Sequence, residues 1–81
     1  MKAEQKPVMQ PGLYRHYKGK LYQVLGVARH SETEEWLVVY QALYGDYGIW
    51  VRPYAMFTEQ VVLADGSRTA RFQRLEDVPQ Q

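Results

Sequence analysis

Nine consecutive residues, Trp36-Leu-Val-Val-Tyr-Gln-Ala-Leu-Tyr44, constrain this chain more than any other stretch. They are aliphatic, β-branched or aromatic almost throughout, and they sit between a polar run at 31–35 and a glycine-bearing turn at 44–48. Such a run reads as an extended strand rather than a helix. Trp36, Val38, Tyr40, Ala42 and Tyr44 then project from one face, and Leu37, Val39, Gln41 and Leu43 from the other. A strand apolar on both sides is central in its sheet. One face lies on the core, and the aromatic face is expected to be partly covered or held for a partner.

The flanking sequence has the same texture. Residues 13–17 form a first short strand, Lys18-Gly19 a tight turn, and 21–30 a second strand, which together make a hairpin. Tyr22 and Val24 share one face of the second strand while Leu25 and Val27 favour the other, so Gly26 marks a bulge or sharp bend. Ser31 and Glu34 ahead of Trp36 match a helix capping box, but the strand propensity of residues 36–44 overrides it. Residues 49–52 make another strand, and Pro53 opens one helical turn over 54–57. Two last strands, 61–64 and 69–75, flank the hairpin signal Asp65-Gly66.

Five or six short antiparallel strands with one short helical turn make an all-β fold, a small SH3-like barrel. An oligonucleotide-binding-like barrel ranks second, because its usual inter-strand helix is missing. Residues 1–11, with Pro7 and Pro11, read as a flexible N-terminal arm, 12–76 as the single barrel domain, and 77–81 as a flexible C-terminal tail. At 81 residues the chain has room for one core only.

The absence of cysteine excludes disulfides, thiolate catalysis and thiolate metal sites. Ten basic residues against nine acidic give a net charge of +1, far from the excess expected of a protein held to nucleic acid through phosphates. No apolar run in the first ten residues suits a signal peptide or membrane anchor, so a cytoplasmic location and no membrane partner are expected.

The segments Gly12-Leu-Tyr-Arg-His-Tyr-Lys-Gly19, Ala28-Arg-His-Ser-Glu-Thr33, Leu37-Val-Val-Tyr-Gln-Ala-Leu-Tyr-Gly45, Trp50-Val-Arg-Pro53, Met56-Phe57 and Arg71-Phe72 resemble a family of small bacterial proteins known as domain of unknown function 1653. The resemblance implies an SH3-like β-barrel. It implies no biochemical activity, since the family has none assigned. Tyr54 stands where an aliphatic residue is more usual, and 61–70 follows no family pattern.

Candidate chemistry is sparse. His30 and Glu32 stand two residues apart at the end of a strand, and with His16 they form the one polar set that could serve as an acid–base or metal site. The competing account of His30 is a loop histidine hydrogen-bonded to a neighbour. The downstream cysteine pair that a zinc deaminase needs is absent, and so are the nucleophile-elbow, phosphate-loop and dinucleotide motifs. No catalytic residues, metal or cofactor are therefore assigned, and an enzyme ranks last.

The aromatic residues are more numerous than a core of this size requires. Trp50, Arg52, Tyr54 and Tyr47 are the expected ligand-binding set, since tryptophan beside arginine is the pairing most enriched at interface hot spots. With Ile49 and Val51 turned inward, Trp50 and Arg52 are expected to face outward, with Tyr54 and Tyr47 at the rim. The sequence thus reads as a non-enzymatic binding module for a peptide, protein or small ligand, with homo-oligomerisation through a sheet edge as its structural version. The alternatives are a weak single-stranded nucleic-acid binder, ranked behind because the basic residues are dispersed, and a metal-dependent or acid–base enzyme using His30 and Glu32.

Overall fold

The computed structural model describes residues 6–75; the expected tail at 77–81 and the first five residues of the arm lie outside the described residues. The elements run β1 (Gly12–His16), β2 (Leu21–Arg29), β3 (Trp36–Ala42), β4 (Ile49–Pro53), α1 (Tyr54–Phe57), β5 (Gln60–Val62), β6 (Arg68–Ala70) and β7 (Phe72–Arg74). The fold is all-β, with seven strands in two antiparallel sheets and one short helix among the described residues. The larger sheet has the order β4-β3-β2-β1-β7, and β5 pairs with β6 in a separate hairpin.

The extra strand arises where the sequence suggests a single one over 69–75. A bend at Arg71 divides it, leaving β6 in the hairpin and sending β7 to pair with β1. Arg71 holds this bend from both sides. Its N–H donates to the Glu59 carbonyl at 3.2 Å, its carbonyl accepts from the Tyr17 N–H at 2.9 Å, and its guanidinium meets the Glu59 carboxylate at 2.7 Å.

The register inverts one expectation about β3. Val38, Tyr40 and Ala42 are buried, so the aromatic face is the core face, while Leu37, Val39, Gln41 and Leu43 lie half-buried on the outer side. The physical reason is the partner supplied later in the chain. Phe57 of α1 and Phe72 of β7 stack with ring centroids 4.0 Å apart and planes 2° apart. Tyr22 and Tyr14 meet this pair edge-on and Tyr40 meets it tilted. Each such ring pair adds roughly 0.5–1.5 kcal/mol beyond the area it buries.

The expected irregularity in β2 is present and has a function in packing. The pairing with β3 shifts between Val24 and Gly26, so Leu25 is the extra residue and Val27 returns to the core face opposite Val38. Gly26 takes φ 155°, a conformation that residues bearing a Cβ resist. Simple alternation puts Val27 on the face of Leu25; the bulge is what separates them.

The five-stranded sheet curls but does not close. The Arg52 guanidinium of β4 lies 6.0 Å from the Phe72 ring of β7, although these strands are at opposite ends of the order and do not pair. Residues 6–11 have no regular structure, yet Met9 packs on the core and the Gln10 carbonyl accepts the Tyr14 hydroxyl at 2.9 Å.

Candidate functional site

β4 is an edge strand, and its local sequence explains why it stays one. The turn through Gly45 and Gly48 delivers the chain beside β3, and Pro53 then diverts it into α1, so among the described residues no following strand returns along the free side. The hydrogen-bond phase along β4 is set by one bond. The Ala42 N–H donates to the Gly48 carbonyl at 2.9 Å, which makes the pairs Tyr40–Trp50 and Val38–Arg52 the hydrogen-bonded ones. The N–H and C=O groups of Ile49 and Val51, and the carbonyl of Pro53, therefore point away from β3.

The side chains on this edge are apolar and uncovered. Ile49 is 61% exposed, Trp50 60% and Val51 56%. Natural edges are commonly blunted with lysine, proline or an inward-pointing charge. β4 carries proline only at its last residue and has no lysine, and its one charge, Arg52, turns inward beside that proline, so Ile49, Trp50 and Val51 have no such device among them. An unprotected apolar edge on a small domain marks a contact surface or an aggregation hazard.

Facing differs from the sequence expectation. Trp50 stands opposite Tyr40 and Arg52 opposite Val38, so this pair lies on the core-side face, and Ile49 and Val51 on the outer face beside Val39 and Gln41. The alternation along β4 is as expected and its phase is reversed, because the core occupies the aromatic face of β3. Trp50 remains exposed since β4 is the last strand of its sheet and, among the described residues, nothing lies beyond it. Its indole lies back along the chain, where a side chain added at Gly48 would come within 3.4 Å of Trp50 Nε1.

The other expected members divide. Arg52 is half-buried and turned across the core face, with its Nε 3.5 Å from the Tyr40 hydroxyl. Tyr54 packs against the core from α1 and is no rim residue. Tyr47 is exposed in the turn before β4, where φ 59° is an uncommon conformation for a bulky side chain. Its carbonyl accepts from Gln41 Nε2 at 2.9 Å, which ties the turn to the neighbouring strand.

The polar set is not assembled. His16 ends β1 at the Leu21 end of β2, whereas His30 follows the other end of that nine-residue strand. At about 3.3 Å per residue this sets them on the order of 25–30 Å apart along the strand. His30 Nδ1 accepts from the backbone N–H groups of Glu32 and Thr33 at 3.0 and 3.2 Å, so it caps its own turn. Among the described residues no group of three or more His, Asp or Glu stands together in a way that could hold a metal ion.

His16 sits instead in an aromatic and cationic setting. Its ring lies 4.7 Å from that of Tyr17 and 4.9 Å from that of Phe72. Burial, then the positive charges of Arg71, Arg52 and Lys18, hold its pKa below the usual histidine value. Nearby, burial and the 2.7 Å hydrogen bond to the Tyr44 hydroxyl push the Tyr22 pKa up to about 12. A groove of about 210 Å³ beside Arg15, His16, Leu63 and Gln73 lies by β1 and β7, at the opposite end of the strand order from β4.

Ile49 and Val51, inward by the expected alternation, are surface residues. The signal available was the helical turn after Pro53, which denies β4 a second neighbour.

Comparison with known proteins gives a family and a structural neighbour. The family model described as "Protein of unknown function (DUF1653)" matches residues 12–74. The crystal structure of a DUF1653 protein from Bordetella bronchiseptica is similar, with 39% sequence identity and a TM-score of 0.76, covering 90% of this chain and 95% of that one. No curated protein matches the sequence. No helix among the described residues is long and apolar enough to cross a membrane.

Proposed function

The chain belongs to the DUF1653 family of proteins of unknown function, and we propose that this member is a non-enzymatic binding module whose working surface is the β4 edge. The curled sheet with its separate hairpin is read as an opened SH3-like barrel. The single observation that supports the binding role most is the exposure of Ile49, Trp50 and Val51 on a strand whose outward backbone groups have no partner among the described residues. An extended polypeptide can add to such an edge through main-chain hydrogen bonds, with alternate side chains resting on its two faces. Trp50 supplies the largest apolar contact on the core-side face, and Ile49 and Val51 supply it on the outer face. Tyr47 borders the N-terminal end of the edge, and Arg52 and Tyr54 support it from the core side.

Screening a random-peptide library against the immobilised protein, with wild type and Trp50→Ala compared on the selected peptides, tests this reading. The expected result is at least tenfold weaker binding by the variant at an unchanged denaturation midpoint. Binding that ignores Trp50→Ala would overturn the assignment of the edge. Affinity that falls steeply with added salt would point to a nucleic-acid-like, phosphate-driven mode instead.

A further inference from the structure

Resting on the reading of β4 as the binding edge, we propose that one occupant of this edge is a second copy of the same chain, joined antiparallel about a two-fold axis at Val51. In that register Val51 of one copy lies opposite Val51 of the other. The N–H and C=O groups that face away from β3 then meet as a hydrogen-bonded pair. Ile49 falls opposite Pro53 of the second copy, where its free N–H reaches the proline carbonyl, and the missing proline donor loses one bond per side.

The side chains fit this register. Trp50 of each copy stands opposite Arg52 of the other in a non-hydrogen-bonded pair, the type in which Cα atoms approach to about 4.5 Å and side chains are closest. Both lie on the core-side face, so the indole covers the aliphatic stem of Arg52 while the guanidinium keeps its place 3.5 Å from the Tyr40 hydroxyl. Centring the axis on Arg52 would oppose like charges, and centring it on Trp50 would place each Arg52 opposite Gly48. The strand has no acidic residue and no second cation to disturb the pairing. A second copy is therefore the occupant whose chemistry this edge already carries.

The contact is small. Three exposed side chains per copy cannot supply the ~800 Å² per partner of a stable interface, so the dimer is reversible and appears only at high concentration. Two copies joined this way form one continuous ten-stranded sheet, twice the five strands of a single copy.

Sedimentation velocity over a concentration series up to the millimolar range tests the proposal on the whole chain. Wild type is expected to shift from the 9.5 kDa monomer towards twice that mass. Val51→Pro removes only an outward-facing N–H, which an edge strand tolerates, and should weaken association at least tenfold. Val51→Lys sets two cations on the axis and should do the same. Circular dichroism confirms that both variants stay folded.

The register has its own test, because the chain has no cysteine. Val51→Cys, treated with oxidised glutathione at high concentration, should form the intermolecular disulfide at least ten times faster than Val62→Cys, a similarly exposed control on β5. Wild type that stays monomeric at every concentration, or equal cross-linking of the two cysteine variants, overturns the proposal. If wild type is monomeric while selected peptides still depend on Trp50, the second copy is refuted and the binding edge stands; loss of both refutes both.

Discussion

Phe72 and Trp50 lie on the same face of the same curled sheet, yet one is 8% exposed and the other 60%. Their difference is one of neighbours. Phe72, on β7, has Phe57 stacked against it and Tyr22, Tyr40 and His16 around its edges. Trp50, on β4, has β3 on one side and, among the described residues, no strand on the other. Alternation assigns a residue to a face; position in the sheet and the returning chain decide whether that face is covered there. The covered region holds the fold together, and the uncovered one is free to contact something else.

The largest effect should come from breaking the covered side. Phe72→Ala removes the centre of the ring cluster and should lower stability by roughly 3–5 kcal/mol, as buried aromatic truncations do. Urea denaturation measures it. A loss below about 1 kcal/mol would mean that the stack with Phe57 is not the organising contact of the core.

Acidification should act on the same region. His16 favours its neutral form in the folded state, because of burial and then the neighbouring Arg71, Arg52 and Lys18. The unfolded chain therefore takes up the proton first as pH falls through about 6.5, and stability declines below that value. Above it, this group contributes no pH dependence. Denaturation midpoints at pH 8 and pH 5.5 should differ in wild type and differ less in His16→Gln; an equal slope in the two proteins would assign the effect elsewhere.

The smallest effect belongs to the uncovered side. Trp50→Ala should cost less than about 1 kcal/mol, the usual limit for an exposed position away from caps and strained backbone. A cost comparable to that of Phe72→Ala would erase the distinction between the two regions, and with it the case for the edge as a working surface.

Much of the fold was legible in the sequence for reasons these residues make plain. The alternation in 36–44, the turn signals at Lys18-Gly19 and Asp65-Gly66, the bulge at Gly26 and the helical turn after Pro53 are all local, and local geometry fixes them. What was not legible depended on residues far apart in the chain. Which face of β3 is the core was decided by Phe57 and Phe72, and the bend at Arg71 by its tie to Glu59. The candidate site suffered accordingly. Alternation identifies Trp50 as exposed but interchanges the faces of β4, nearness to Pro53 suggests a rim position for Tyr54 although it packs against the core, and residue type groups His16 with His30 although β2 separates them.

Residue-resolved amide hydrogen exchange along β4 tests the central claim most directly. In dilute protein the Trp50 and Arg52 amides, bonded to β3, should be protected, while those of Ile49 and Val51 should exchange freely. Adding a selected peptide, or concentrating the protein into the range where it self-associates, should slow Ile49 and Val51 while leaving Trp50 and Arg52 as they were. Ile49 and Val51 amides already protected in dilute monomer, or unchanged when a ligand known to bind is saturating, would contradict the account of β4 as an open edge that takes another strand.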